Sequence, residues 1–182
     1  MKINIPHFVD LEASSLRSNS YPIEVAWNFA DDSIESYLIS PVGIEQWTDW
    51  STESQGIHGI RRQELIEDGR DPAWICARMN QQLEGKVVYS DNPEWDGRWL
   101  EELFRVAGGE VMGFTVGSSE GLLFDQSFPD FVEWARYEER VKQLKYEARV
   151  RAGGQHRASM DVRYLVELWK LVRDEGEGRG NR

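Results

Sequence analysis

Apolar and polar positions change period along the chain, and that change predicts the architecture. Residues 5 to 11 (IPHFVDL) and 21 to 30 (YPIEVAWNFA) are short runs rich in Ile, Val and Phe, and they read as strands. Pro22 stands at the entrance of the second, where a missing backbone donor is tolerated. Asp31-Asp32 supplies a tight turn, and the alternation from Ile34 to Ile39 predicts a third strand. Short connections make these three an antiparallel meander. The period then lengthens. Residues 61 to 68 read as a short helix, and Asp71-Pro72 opens another that reaches Leu83, because proline is favoured at a first helical position. Lys86 to Ser90 returns to a strand. After Asn92-Pro93, the residues Trp99, Leu100, Leu103, Phe104 and Ala107 recur at helical spacing until Gly108-Gly109 closes the helix. Met112 to Val116 predicts a fifth strand, and residues 113 to 128 leave the next connection undefined. A charged helix follows from Asp130 to Val150. Gly153-Gly154 breaks it, and a last helix carries Val162, Leu165, Val166 and Trp169 on one face.

Three antiparallel strands followed by alternating helices and strands predict an α/β fold around a mixed five-stranded sheet. One domain is expected over residues 1–173. The polar, glycine-rich segment 174–182 (DEGEGRGNR) is expected to be a flexible tail.

Composition narrows the class. With 182 residues, 40% of them apolar and 8 of them Trp, the chain can bury the core of a single domain. No run of apolar residues is long enough for a membrane span, and the N-terminal MKINIPHFVDLEASS lacks the apolar stretch of a signal peptide, so a cytoplasmic protein is expected. The single cysteine, Cys76, permits no internal disulfide and no cysteine-rich metal site; its place beside Ile75 and Ala77 suggests packing. A net charge of −11 argues against wrapping long duplex DNA, which draws on many Lys and Arg contacts to phosphate. It leaves room for a protein that grips a few nucleotides, especially where bound cations offset an acidic pocket.

The candidate chemistry lies in scattered acids. Asp10 and Glu12 are two positions apart on the first strand, so both leave the same face. Two carboxylates on a covered face repel each other and lose hydration unless a cation compensates; on a strand that ends at Asp10, both would simply be solvated. Asp96 precedes Trp99 and Leu100 by three and four residues, which places it on the apolar stripe of its helix. An acid in a first turn also gains from unpaired backbone donors, so a capping role is the alternative. His156 and Asp161 stand in GGQHRASMDVRYLVELW. On one uninterrupted helix they would be about 140° apart, so a shared site requires His156 to sit on the preceding loop or irregular turn. Otherwise it is a surface histidine near a helix start.

Taken together, these segments resemble the DEDDh exonucleases of the ribonuclease H-like fold, the family of the polymerase proofreading subunit, ribonuclease T and oligoribonuclease. FVDLEASSL is similar to the family's strand ending in D-x-E, and YPIEVAW to its second strand. IHGI at residues 57 to 60 is similar to its H-G-I segment, DNPEWD to its second motif, and HRASMD to its H-x4-D element. The resemblance spans residues 5 to 169 in order. It departs from the family at Ala13-Ser14-Ser15, where Thr-Gly is usual, at Asp91, where histidine is common, and at Trp95, where phenylalanine is common. The positions of Asp91 and Trp95 are not metal ligands in the family.

The resemblance implies a ribonuclease H-like fold with helices on both sheet faces and two divalent cations, Mg²⁺ or Mn²⁺, at Asp10, Glu12, Asp96 and Asp161. Such ions, roughly 3.5–4 Å apart, would activate a water and support the leaving 3′ oxygen. His156 would be the general base, since an ordinary imidazole pKa of about 6.5 suits that work near neutrality. Leu16 would pack against the terminal nucleotide. His58 would either shape the base pocket or cap the IHGI turn. His7 has no catalytic neighbour in this reading. Trp99 and Trp169 fall on apolar stripes and belong to the core, whereas Trp47 and Trp50, in the polar WTDWSTESQ, are candidates for substrate or partner contact.

The implied activity is 3′–5′ exonucleolytic hydrolysis of short or single-stranded RNA or DNA with a free 3′ end, releasing nucleoside 5′-monophosphates. Several relatives dimerise, so a homodimer is compatible with it. The alternatives are a catalytically weak or inactive exonuclease-like binding protein and a hydrolase that cuts the RNA strand of a hybrid internally.

Overall fold

Side-chain alternation gives the central sheet two different faces. In the computed structural model, which describes residues 4–109, 111–127, 134–154 and 156–179, the sheet has five strands in the order β3-β2-β1-β4-β5. These are β1 (His7–Ala13), β2 (Pro22–Asn28), β3 (Ile34–Leu38), β4 (Val87–Ser90) and β5 (Thr115–Ser118). The first three are antiparallel neighbours, whereas β4 runs parallel to β1 and β5 parallel to β4. This is the mixed five-stranded α/β arrangement expected from the sequence.

Seven helices complete the described fold: α1 (Thr52–His58), α2 (Arg62–Glu67), α3 (Pro72–Leu83), α4 (Pro93–Val106), α5 (Ser119–Ser127), α6 (Trp134–Ala152) and α7 (Ala158–Arg179). Val9, Leu11, Ile23, Val25 and Trp27 point from the sheet into a core shared with Ile75 and Met79 of α3 and Leu100 and Leu103 of α4. The opposite parity, Phe8 and Ala26, packs with Val162, Leu165 and Val166 of α7 and Leu144 of α6. Helices therefore cover both faces, and Asp10 and Glu12 share the parity of Phe8, toward α7.

Four features depart from the sequence reading. Residues 52–58, read as part of a polar loop, form α1, whose N-cap Ser51 accepts a bond from the Ser54 amide at 3.2 Å. Trp47, on the approach to it, belongs to the core and is not a contact residue: it is 2% exposed, stacks on Tyr21 at 4.9 Å and donates Nε1 to Glu102 at 2.6 Å. Trp50, half-buried, donates to Gln55 at 2.9 Å. The fifth strand starts at Thr115 rather than Met112, because the backbone before it serves other partners. Gly113 donates its amide to Asn80 at 2.9 Å, and its carbonyl accepts from Gly85 at 2.7 Å.

The last helix also continues past Asp174 to Arg179. Adding residues to an existing helix costs far less than starting one, so a polar glycine-containing segment can follow a long, docked helix. Residues 130–133 of the predicted charged helix and 180–182 of the expected tail lie outside the described residues. Cys76, Trp99 and Trp169 are buried as expected. No helix among the described residues is long and apolar enough to cross a membrane.

Candidate active site

Three elements and one junction bring carboxylates together at the end of β1. Asp10 and Glu12 come from β1, on the face toward α7, and Asp161 comes from the first turns of α7. One carboxylate oxygen from each of these three lies within 4.8 Å of the others. A second group shares the same 4.8 Å limit and joins Asp10 to Asp91 and Asp96. Asp10 belongs to both.

The second group is built where β4 ends and α4 begins. Ser90 closes the strand, Pro93 opens the helix, and Asp96 falls in its first turn, with its amide bonded to the Asn92 carbonyl at 3.1 Å. The Ser90 hydroxyl donates to the buried Asp96 carboxylate and accepts from the Asn92 amide at 2.8 Å, which fixes this junction. Asp91, placed outside the site by the sequence reading, lies in the junction and offers its own carboxylate. An acid one residue past a strand and directly before a helix-opening Asn-Pro was the available signal.

Burial and mutual repulsion raise the pKa values of Asp10, Glu12, Asp91 and Asp96. Burial, followed by the charges of Asp96 and Asp161, pushes Asp10 well above the usual carboxylate range. Glu12 is pushed up to about 8 by burial, with Asp161 and Glu24 adding to the shift and Arg157 opposing it. Asp96 rises to about 7, mainly through burial, against the Ser90 hydrogen bond. Asp91 is raised by burial and then by Asp161, with Arg149 opposing. Groups of carboxylate oxygens that repel one another in this way fit hard divalent cations, and Asp10 is common to both groups.

One cation of the protein itself enters the cluster. Arg149 of α6 donates Nη1 to Asp161, and its guanidinium lies 3.7 Å from the centre of the Tyr164 ring. Nothing in a helix with many Lys and Arg residues singles it out in the sequence.

The remaining candidates surround this centre. His156 is exposed, with a left-handed backbone at φ 59°, in the bend between α6 and α7; neither carboxylate group includes it. Gly153, at φ 78°, turns the chain out of α6 just before it. His58 is buried, and its Nδ1 accepts the Ile60 amide at 3.0 Å across the turn made by Gly59 at φ 72°. Burial lowers its pKa, opposed by Glu24. Leu16 is 69% exposed on the loop after β1. That loop is held by Asp49, which accepts from Ser14 at 3.1 Å, Ser15 at 2.5 Å and Arg17 at 3.0 Å. The sequence reading missed Asp49, whose only signal was an acid between two tryptophans. His7 contacts the Asn28 carbonyl at 2.9 Å and belongs to neither group.

The fold recurs in solved structures. Exonuclease I from Methylocaldum szegediense superposes with a TM-score of 0.64 at 17% identity, over 92% of this chain and 40% of that one. The zinc-bound complex of E. coli exonuclease I with single-stranded DNA gives 0.66 at 16% identity, over 94% of this chain and 41% of that one. E. coli exonuclease I with a dA16 oligonucleotide gives 0.64 at 15%, over 97% and 42%. The chain thus has the α/β fold seen in these exonuclease structures and spans about two fifths of their length. No family model matches the sequence, and no curated protein does.

Proposed function

We propose that this protein is a 3′–5′ exonuclease that removes nucleoside 5′-monophosphates from the 3′ end of short or single-stranded nucleic acid, using two divalent cations, Mg²⁺ or Mn²⁺. The observation that carries the reading is Asp10, whose carboxylate is common to two three-acid groups. The shared fold supports it, since the exonuclease I neighbours include complexes with single-stranded DNA and a zinc-bound form. A net charge of −11 favours a short grip on a strand end over a long duplex footprint. A cytoplasmic setting accompanies the reading and suits the buried free thiol of Cys76.

Asp10, Glu12 and Asp161 would hold one ion, and Asp10, Asp91 and Asp96 the other. When bound, the ions supply Lewis acidity that favours a nucleophilic hydroxide and offsets the negative charge of the phosphodiester. The imidazole of His156 takes the proton as the attacking oxygen bonds to phosphorus. The bond from phosphorus to the 3′ oxygen breaks, and that oxygen takes a proton from solvent to become the new 3′ hydroxyl. Exposed Leu16, on the loop fixed by Asp49, meets the terminal nucleotide, while buried His58 shapes the floor behind it by holding the Gly59 turn. 

An end-labelled panel of short RNA, single-stranded DNA and duplex DNA, each with Mg²⁺, Mn²⁺ or EDTA, tests this reading. Stepwise loss from the 3′ end that needs a metal is the expected result. Binding without cleavage would assign the chain to the inactive, exonuclease-like binding proteins, and internal cutting would refute the requirement for a 3′ end.

A further inference from the structure

A second charged assembly, adjoining the carboxylate groups at Glu12, leads to the turn that carries His156. Glu24 lies on β2 directly opposite Glu12 and is 2% exposed. A buried carboxylate needs partners, and Glu24 takes most of its own from the start of α7. Arg157 donates Nε to Oε2 at 3.0 Å and Nη2 to Oε1 at 2.8 Å, a two-pronged grip. Ala158, the first residue of α7, donates its amide to Oε2 at 3.0 Å, and Ser36 on β3 donates its hydroxyl to Oε1 at 3.2 Å.

This arrangement caps a helix from a distance. The first amides of a helix lack internal partners, and usually a neighbouring Ser, Thr, Asn or Asp supplies one. Here a carboxylate from the sheet does so, and its charge also favours the positive end of the helix. The Arg157 carbonyl in turn accepts the Met160 amide at 2.8 Å and the Asp161 amide at 3.0 Å. The residue gripped by Glu24 therefore follows His156 directly and starts the turn that carries Asp161.

His156 adopts φ 59°, a left-handed conformation unfavourable for a residue with a Cβ. Such a backbone persists where surrounding contacts over-determine it. We infer that Glu24 is a positioning residue, clamping Arg157 and the first amide of α7 to the sheet so that the His156 turn is held beside the carboxylates. The inference rests on the exonuclease reading for its kinetic consequence, though its structural part stands without it.

The test uses Glu24→Gln, which keeps the shape and removes the charge, in the full-length protein. Amide hydrogen exchange for residues 157–161 should speed up by about fivefold to thirtyfold relative to the middle of α7. Unchanged exchange overturns the clamp whether or not the protein cleaves nucleic acid. At saturating Mn²⁺, kcat on a single-stranded oligonucleotide should fall by about tenfold to a hundredfold, with KM held within about twofold. In a His156→Ala background the same substitution should cost less than about threefold, because its effect runs through the missing ring. Multiplicative losses in that double variant overturn the positioning role. If His156→Ala alone cleaves at the wild-type rate, the base assignment fails, and the exchange result still decides the clamp. Should Glu24→Gln not fold, Arg157→Gln keeps the bond from Glu24 to Ala158 and faces the same measurements, with the same outcomes deciding.

Discussion

Arg149 and Asp161 form an ion pair across the α6–α7 boundary, and the guanidinium is also seated on the Tyr164 ring. Asp161 belongs at the same time to the group with Asp10 and Glu12. An ion bound there competes with Arg149 for the same carboxylate. Arg149→Gln should therefore tighten Mn²⁺ binding by about fivefold, equivalent to ~1 kcal/mol, in calorimetric titration of the intact protein. Weaker binding in the variant would show that Arg149 organises the acids instead of competing for one.

Asp10 and Asp91 should separate under mutation. Asp10→Asn removes the carboxylate common to both groups, so Mn²⁺ binding and cleavage should both be lost. With repulsion relieved, the metal-free variant should melt about 2–4 °C higher, corresponding to ~1 kcal/mol for a domain of this size. Asp91→Asn touches only one group and should leave a single high-affinity ion, countable by calorimetry. Two full-strength ions in Asp91→Asn would remove that residue from the site.

Protonation of the cluster gives a pH dependence of definite sign. Glu12, raised from 4.5 to about 8, and Asp96, raised from 3.8 to about 7, hold protons in the folded chain that the unfolded chain has already released. Their stabilising contribution is complete below the ordinary carboxylate range and is lost as pH rises through the folded values. In EDTA, the melting temperature should fall between pH about 5 and about 8, and Glu12→Gln should flatten that fall. Metal binding must displace the same protons, so Mn²⁺ affinity should rise over that interval. Affinity independent of pH would contradict the raised values.

His156→Ala should lower metal-dependent hydrolysis by about 10²–10⁴-fold, the range for losing a general base, while leaving Mn²⁺ affinity and the melting temperature nearly unchanged. Retained turnover at saturating substrate would remove the proposed role.

The sheet was legible because its strands carry unmistakable patterns. Phe8, Val9 and Leu11 are apolar on both parities of β1, as a strand covered on both faces requires, so a polar pair at Asp10 and Glu12 stood out. The junction at Asn92-Pro93 likewise put Asp96 in the first turn of α4. Other parts depended on contacts that no local pattern encodes. Met112 to Val116 looks like a strand, yet the backbone at Gly113 is committed to Asn80 and Gly85. Trp47 sits among polar neighbours, but its ring is stacked on Tyr21 from a different segment. Glu24 was visible as a single charge within YPIEVAW, although its partner stands far along the chain at Arg157. Periodicity reports which face a residue occupies, whereas pairing across the sheet is decided only when the chain closes.

The placement of Asp161 on α7, far along the chain from Asp10, bears on the order in which the acidic cluster is assembled. Asp10 is synthesised well before Asp161, so a chain that has folded only its sheet still lacks one carboxylate of the group that Asp10 and Glu12 begin, and that group closes only when α7 docks.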